Sequence, residues 1–201
     1  MNLSIILGVV HQNKLWIADS SGAECFDPVA SSWTSWPAYP TVVKYGSCLT
    51  IWQNTLMLND FFNLQTFDLT SNTWTTKAIF PPQVIVYPAC LTLPNNKILV
   101  VGTLGLPVLY DPTNDVWTEL PPTYNAQGKV SLVQSPLSRR VFLLGGNGTS
   151  TVAHEFNQNT NTWSSVAGGP VRTTNNAGYA SAVFVPANPF NKMPGGCNGI
   201  I

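Results

Sequence analysis

The chain has 201 residues, of which 44% are hydrophobic and only 9% charged, against about 25% charged in an ordinary soluble domain. Nine basic residues balance nine acidic ones, so the net charge is zero. With no basic excess to neutralise phosphates, nucleic acid is not an expected partner, and no apolar run approaches the ~18 residues of a membrane-spanning helix.

The first segment, "MNLSIILGVVHQNK", lacks a positive n-region and a small-residue cleavage site, the marks of a signal peptide. It reads as a β-strand. From there a single device repeats along the chain. "CFDPVASSW" runs from Cys25 to Trp33, and "TFDLTSNTW" from Thr66 to Trp74. "LYDPTNDVW" runs from Leu109 to Trp117, and "EFNQNTNTW" from Glu155 to Trp163. The closing tryptophans are 41, 43 and 46 residues apart, a period in the range of propeller blades.

Each copy follows a short apolar run: "KLWIAD" from Lys14, "TLMLND" from Thr55, "KILVVG" from Lys97 and "RVFLLGG" from Arg140. Such runs suit strands buried on both faces. A turn precedes each run ("HQN", "WQN", "PNN", "SPLSR"), and before it comes another strand ("SIILGVV", "GSCLTI", "ACLTL", "KVSLVQ"). No helical periodicity occurs. The expected fold is all-β, a propeller of four four-stranded blades plus extra terminal strands, possible as an incomplete ring. One domain, residues 1–201, holds units at 3–40, 43–82, 85–123 and 128–170. Residues 176–201 supply the outer strand of the last blade and the start of a further inner strand. In this arrangement the apolar run is innermost, the Trp strand third and the "CLT"-type strand outermost. The strand from Leu3 to Val10 then has no blade of its own.

Asp27, Asp68 and Asp111 take the first position of the inter-strand turn, where a carboxylate accepts backbone N–H bonds. Pro at the next position presets φ. The aromatic before the turn and Trp33, Trp74, Trp117 or Trp163 after it are read as wedges that fill the space between blades. The copy at Glu155–Trp163 replaces Asp by Asn157 and Pro by Gln158 but keeps both aromatics.

This pattern resembles the kelch repeat. Gly145-Gly146 in "FLLGG" matches that family's glycine pair, and Gly102 keeps one member. The first two units depart from it, with Ala18-Asp19 and Asn59-Asp60. The resemblance implies a propeller and leaves the function open, because kelch domains serve as adaptors, actin-associated modules, extracellular domains and the copper enzyme galactose oxidase. That enzyme's two His, two Tyr and crosslinked Cys have no counterpart set here.

Among single residues, His11 and His154 lie in different units and form no local metal or triad motif. Asp19 and Asp60 end apolar strands near the expected channel mouth. There they are candidates for a cation or polar ligand, or caps standing where other units use glycine. Trp36, Tyr39, Trp52 and Tyr124 fall outside the repeat and are candidate ligand-contacting aromatics. No catalytic residue, metal site or cofactor is expected. Cys48 and Cys90 share one slot in adjacent units and read as two small buried thiols too far apart to bridge. A Cys25–Cys197 disulfide is conceivable if the ring closes. Asn2 and Asn147 begin glycosylation sequons.

The leading expectation is a non-catalytic module for protein interaction or structural self-assembly through propeller edges or loops, extracellular or secreted. The alternatives are a secreted carbohydrate-binding module or a galactose-oxidase-like fragment without its copper site, and an intracellular, cytoplasmic adaptor.

Overall fold

The computed structural model describes residues 7–18, 23–37, 47–59, 63–79, 85–103, 105–122, 130–145 and 152–168. They form four four-stranded antiparallel sheets arranged as the blades of a β-propeller, with no helix among the described residues. Blade 1 is β1 (Leu7–His11), β2 (Lys14–Ala18), β3 (Ala23–Asp27) and β4 (Ser32–Ser35). Blade 2 is β5 (Cys48–Trp52), β6 (Thr55–Asn59), β7 (Asn63–Asp68) and β8 (Thr73–Ile79). Blade 3 is β9 (Ala89–Thr92), β10 (Ile98–Val101), β11 (Val108–Asp111) and β12 (Val116–Glu119). Blade 4 is β13 (Val130–Gln134), β14 (Val141–Gly145), β15 (Val152–Asn157) and β16 (Thr162–Gly168).

Every blade is a simple meander in which sequence order equals spatial order. Two expectations about strand placement are therefore corrected. The "CLT"-type strand is not outermost but the inner edge of its own blade, because β1, β5, β9 and β13 pack against one another in succession. The apolar run is second, not innermost, and the Trp strand is the outer edge rather than the third strand. Residues 7–11 accordingly belong to blade 1, where they pair with β2. In β6 and β10 the apolar run is buried on both faces, as anticipated, but by the neighbouring blades and not by a channel, whereas β2 and β14 are each only partly buried. The expected strand from Gly178 and the segment after it lie outside the described residues, and blade 4 has its four strands without them.

The aromatic residues pair across strands in a fixed register. Four rows run from inner to outer edge: Val10, Leu15, Phe26, Trp33; Ile51, Leu56, Phe67, Trp74; Thr92, Ile98, Tyr110, Trp117; and Gln134, Val141, Phe156, Trp163. The final two members of each row are rings 4.5–5.0 Å apart. Offset aromatic contacts at this spacing add to ordinary area burial.

Each row from blade 2 onward seats on the preceding blade. Leu56 and Phe67 pack with Val9, Trp16, Cys25 and Trp36 of blade 1. Ile98 and Tyr110 pack with Cys48, Met57 and Leu64 of blade 2. Val141 and Phe156 pack with Leu91, Leu99 and Leu109 of blade 3. The hydrophobic core is thus a series of inter-blade layers rather than one central mass.

Gly102 is fixed by a close approach of backbone. A Cβ there would lie 2.3 Å from Ile85 Cγ2 and 2.7 Å from the Val86 carbonyl oxygen. The neighbouring Thr103 N–H donates to that carbonyl at 2.8 Å, so the segment cannot simply step aside. We expect Gly102→Ala to lower unfolding stability by about 1–3 kcal/mol, as overpacking does. Urea unfolding of the variant checks this, and an unchanged midpoint would contradict it.

Candidate functional site

The Asp turns repeat in detail. Asp27 Oδ1 accepts from the N–H groups of Val29 (2.9 Å) and Ala30 (3.1 Å). Asp68 Oδ1 accepts from Thr70 (2.7 Å) and Ser71 (3.1 Å), and Asp111 Oδ1 from Thr113 (3.0 Å) and Asn114 (3.3 Å). Asn157 does the same with Asn159 and Thr160, so its amide oxygen substitutes for the carboxylate. Four residues after each turn opener comes a left-handed residue: Ser31, Asn72, Asp115 and Asn161, with φ between 51° and 55°. Sequence reasoning missed this position. Its signal was available in the repeated Ser, Asn and Asp, two of which tolerate that conformation best. In blade 3 the residue has a second task, because the Tyr110 hydroxyl donates to the Asp115 carboxylate. Burial, with that bond second, raises the phenol above its ordinary value.

The turn carboxylates are held below the ordinary range. The first cause is the Ala30 N–H for Asp27, the Thr70 N–H for Asp68 and the Asn114 side-chain amide for Asp111. Burial alone holds His154 below the usual histidine value. All four groups prefer their deprotonated form in the fold, so each contributes its full stabilisation above its unfolded pKa. The His154 share fades as pH falls below about 6.5 and through its lowered folded value, and the aspartate shares follow below about 3.9. Thermal unfolding across this range should show two acid limbs. His154→Gln should flatten the upper limb and Asp68→Asn should shallow the lower one. A flat profile through the histidine window would be the contrary result.

The inner edges of blades 2 and 3 are stitched together. Cys48 and Cys90 form a disulfide with Cα atoms 5.8 Å apart, which corrects their reading as unbridged thiols. Two features explain it. Inner strands of adjacent blades lie against each other, so the slot is at the narrow end of the wedge. The two cysteines also do not hold equivalent sheet positions, although both begin "CLT". Cys48 pairs across from Asn59 and Cys90 from Val100, and the row register makes Cys90 the counterpart of Leu49. The cause is the hairpin. Trp52 and Thr55 flank a two-residue turn, whereas Leu93 and Lys97 flank three residues, Pro94 to Asn96. That one-residue shift turns Cys90 to the opposite face of its strand, toward blade 2. The same shift aims Thr92 at Thr50, whose hydroxyl oxygens are 3.1 Å apart. Cys25 is a buried free thiol, and Cys197, its conceivable partner, lies outside the described residues.

Beside the disulfide, Thr50, Met57, Asn59, Leu64 and Tyr110 help to line a void of about 10 Å³. That is room for roughly one water, far below the ~300 Å³ of the smaller ligand pockets. Among the described residues no group of three or more His, Cys, Asp or Glu is close enough together to hold a metal ion. His11 ends β1 and His154 lies in β15, in blades 1 and 4.

The candidate aromatics divide. Trp36 is half-buried, with its ring 3.9 Å from Trp16 and 4.2 Å from Phe67, and therefore works as a wedge between blades 1 and 2. The Trp74 indole N–H donates to the next carbonyl, that of Pro37, at 3.2 Å. Trp52 packs half-buried against the layer between blades 2 and 3. Asp19, Asp60, Tyr39, Tyr124, Gly146 and the sequon residues Asn2 and Asn147 lie outside the described residues. Gly145 ends β14 at φ 91°, a conformation that suits glycine.

A surface that sequence reasoning did not single out is the row of blade 1. Val10 is 68% exposed, Leu15 37% and Trp33 53%, with Phe26 half-buried. The counterparts of Leu15 and Phe26, namely Leu56, Phe67, Ile98, Tyr110, Val141 and Phe156, are all at 3% or less, while those of Val10 and Trp33 are half-buried. The centre of the row is thus covered in three blades and open in one. Arg140 supplies a contrasting polar spot on blade 4, where its guanidinium forks onto the Glu155 carboxylate at 2.7 and 2.6 Å and lies over the Phe142 ring.

No protein-family model matches this chain, and no curated protein matches its sequence. Solved structures do resemble it. One is YjhT, with a TM-score of 0.71 at 12% identity over 86% of this chain and 67% of that one. Another is virginiamycin B lyase from Staphylococcus aureus, at 0.60 and 11% identity over 82% of this chain and 56% of that one. A third is the extracellular domain of the one-component system BT4673 from B. thetaiotaomicron, at 0.60 and 17% identity, covering 83% of this chain and 22% of that one. At these identities the likeness establishes the propeller fold alone.

Proposed function

We propose that this chain is a non-catalytic, kelch-type propeller that serves as a protein-interaction or assembly module outside the cell. The observation that carries the reading is the open row of blade 1. Contiguous exposed apolar faces on soluble domains mark interaction sites, and this one has the composition that every other blade uses to bind protein. The Cys48–Cys90 disulfide supports an oxidising compartment. Low charge suits recognition by shape rather than by electrostatic steering. The kelch reading rests on the repeated Asp turn with its flanking aromatics and on the glycine of "FLLGG".

A photo-crosslinking amino acid at position 33 tests the reading in medium where the protein is secreted. It should capture a protein, while the same probe at Leu137, exposed on another blade, should not. Capture from neither site would count against the proposal. A second reading is favoured by the half-exposed Trp33 indole beside the polar Asp27 turn, a platform on which a sugar ring could stack. Selective glycan-array binding that Trp33→Ala abolishes would put the carbohydrate-binding reading first. The fold itself is neutral between these readings and catalysis, since virginiamycin B lyase shares it. A turnover found with an oxidase or lyase substrate would overturn the non-catalytic reading.

A further inference from the structure

We infer that His154 is an acid-operated release for blade 4: protonation of its imidazole, set in the layer between blades 3 and 4, parts the two blades and uncovers their apolar faces. The first ground is where the side chain lies. His154 belongs to the row Leu132, Leu143, His154, Ser165. Leu132 and Leu143 pack with Leu99 and Leu109 of blade 3, and members of one row share a face, so the imidazole is turned toward blade 3. The residue is 8% exposed.

The other blades show what this position ordinarily holds. Two residues before the aromatic of the turn stand Glu24, Gln65, Val108 and His154. Glu24 is exposed and carries its charge in water. Gln65 and Val108 are covered, at 1% and 0%, and neither titrates. Of the four, His154 alone combines cover with a group that ionises. Gln65 and His154 also share a β-bulge on the outer strand, at Asn63/Gln65 and Val152/His154. In blade 2 the Thr76 hydroxyl donates to Gln65 Oε1 at 2.8 Å and closes that spot. In blade 4 the residue across from His154 is Ser165, which is exposed. A bulge disrupts the ladder locally, so this edge is the route by which water and protons reach the imidazole.

Among the described residues no carboxylate answers an imidazolium there. On blade 3, Tyr110 and Glu119 lie in rows turned toward blade 2, while Lys97 and Asp111 pair with each other at the turn end. On blade 4, Glu155 points to the opposite face and holds Arg140, and Arg139 sits in the exposed turn. A charge without a partner in an apolar layer is costly, and separating the two faces relieves it. Blade 4 is the one to move. Blades 2 and 3 are joined by the Cys48–Cys90 disulfide, and blades 1 and 2 by the Gln12–Asn54 and Trp74–Pro37 bonds. The layer between blades 3 and 4 is packed from Leu, Val and Phe side chains.

Hydrogen exchange of the whole chain at pH 7.5 and 5.5 tests the inference. An exposed histidine titrates near 6.5, so the open form should gain up to about tenfold over this range. After correction for intrinsic rates, β14 and β15 should accelerate by up to that factor, and β6 and β7, which have Gln65 in the same place, should not. His154→Gln and His154→Val, which install the residues that blades 2 and 3 use, should each abolish the acid response. His154→Val decides the matter if His154→Gln fails to fold. No acid response in blade 4, an equal response in blade 2, or a response that survives in the variants overturns the inference.

Discussion

Removing the Cys48–Cys90 bridge is expected to give the largest loss of stability from any covalent change. The disulfide closes a loop of 42 residues. By the chain-entropy relation, a loop of that length contributes about 4 kcal/mol through restriction of the unfolded chain. For a chain of this size that corresponds to a fall in Tm of about 10 °C. The variant carrying Cys48→Ser and Cys90→Ser should show it, and wild type in a strong thiol reductant should melt at the same lowered temperature. The effect is expected to be local as well as global. Hydrogen exchange should accelerate first in β5 and β9, whose edges the bridge and the Thr50–Thr92 contact hold together. Cys25→Ser, which removes a thiol that bonds to no partner cysteine, should leave the non-reducing mobility of the protein unchanged. A Tm equal to wild type in the double variant would show that the bridge contributes nothing.

Phe67→Ala and Phe26→Ala are expected to differ sharply although they alter the same position of the repeat. Phe67 is 0% exposed and lies between Trp36 at 4.2 Å and Trp74 at 4.8 Å. Truncating it empties the layer between blades 1 and 2, at a cost of about 3–5 kcal/mol. Phe26 keeps its contact with Trp33, but its face is open, so water fills the space left and the cost is about 1 kcal/mol. Denaturant midpoints of the two variants in dilute protein measure the difference. Equal losses would mean that blade 1 is covered as the other blades are. The repeat serves as its own control, because the Asp turn and the aromatic pairing are shared.

Much of the architecture was legible in the sequence because the repeat is written in residue types with a physical need. Asp opens a turn, an aromatic and a Trp pack, and a Val- and Leu-rich run is buried on both sides. That combination gave four units and four strands in each. It did not give the order of strands from the axis outward. A meander and a blade sharing strands between units have the same sequence period, and hydropathy is similar for a strand buried by a channel and one buried by neighbouring blades. The cysteine reading failed for that reason and for another. Sequence alignment of "CLT" with "CLT" hides the residue that blade 3 moves from strand to turn. The open face of blade 1 was illegible too. Leu15, Phe26 and Trp33 look like their counterparts in every unit, and exposure belongs to what surrounds a residue.

The turn from Pro94 to Asn96 has a consequence for how such a chain can change. Strands have a two-residue alternation, so hairpin length acts as a parity setting for everything on one arm. At odd parity a cysteine looks back to the preceding unit, and at even parity it looks forward to the next. Covalent wiring between modules is therefore controlled by an insertion or deletion in a surface loop, with no cysteine gained or lost. A one-residue deletion at Asn95 would turn Cys90 forward to blade 4 and leave Cys48 alone. Repeat chains of this kind carry a latent means of re-routing their cross-links through loop length.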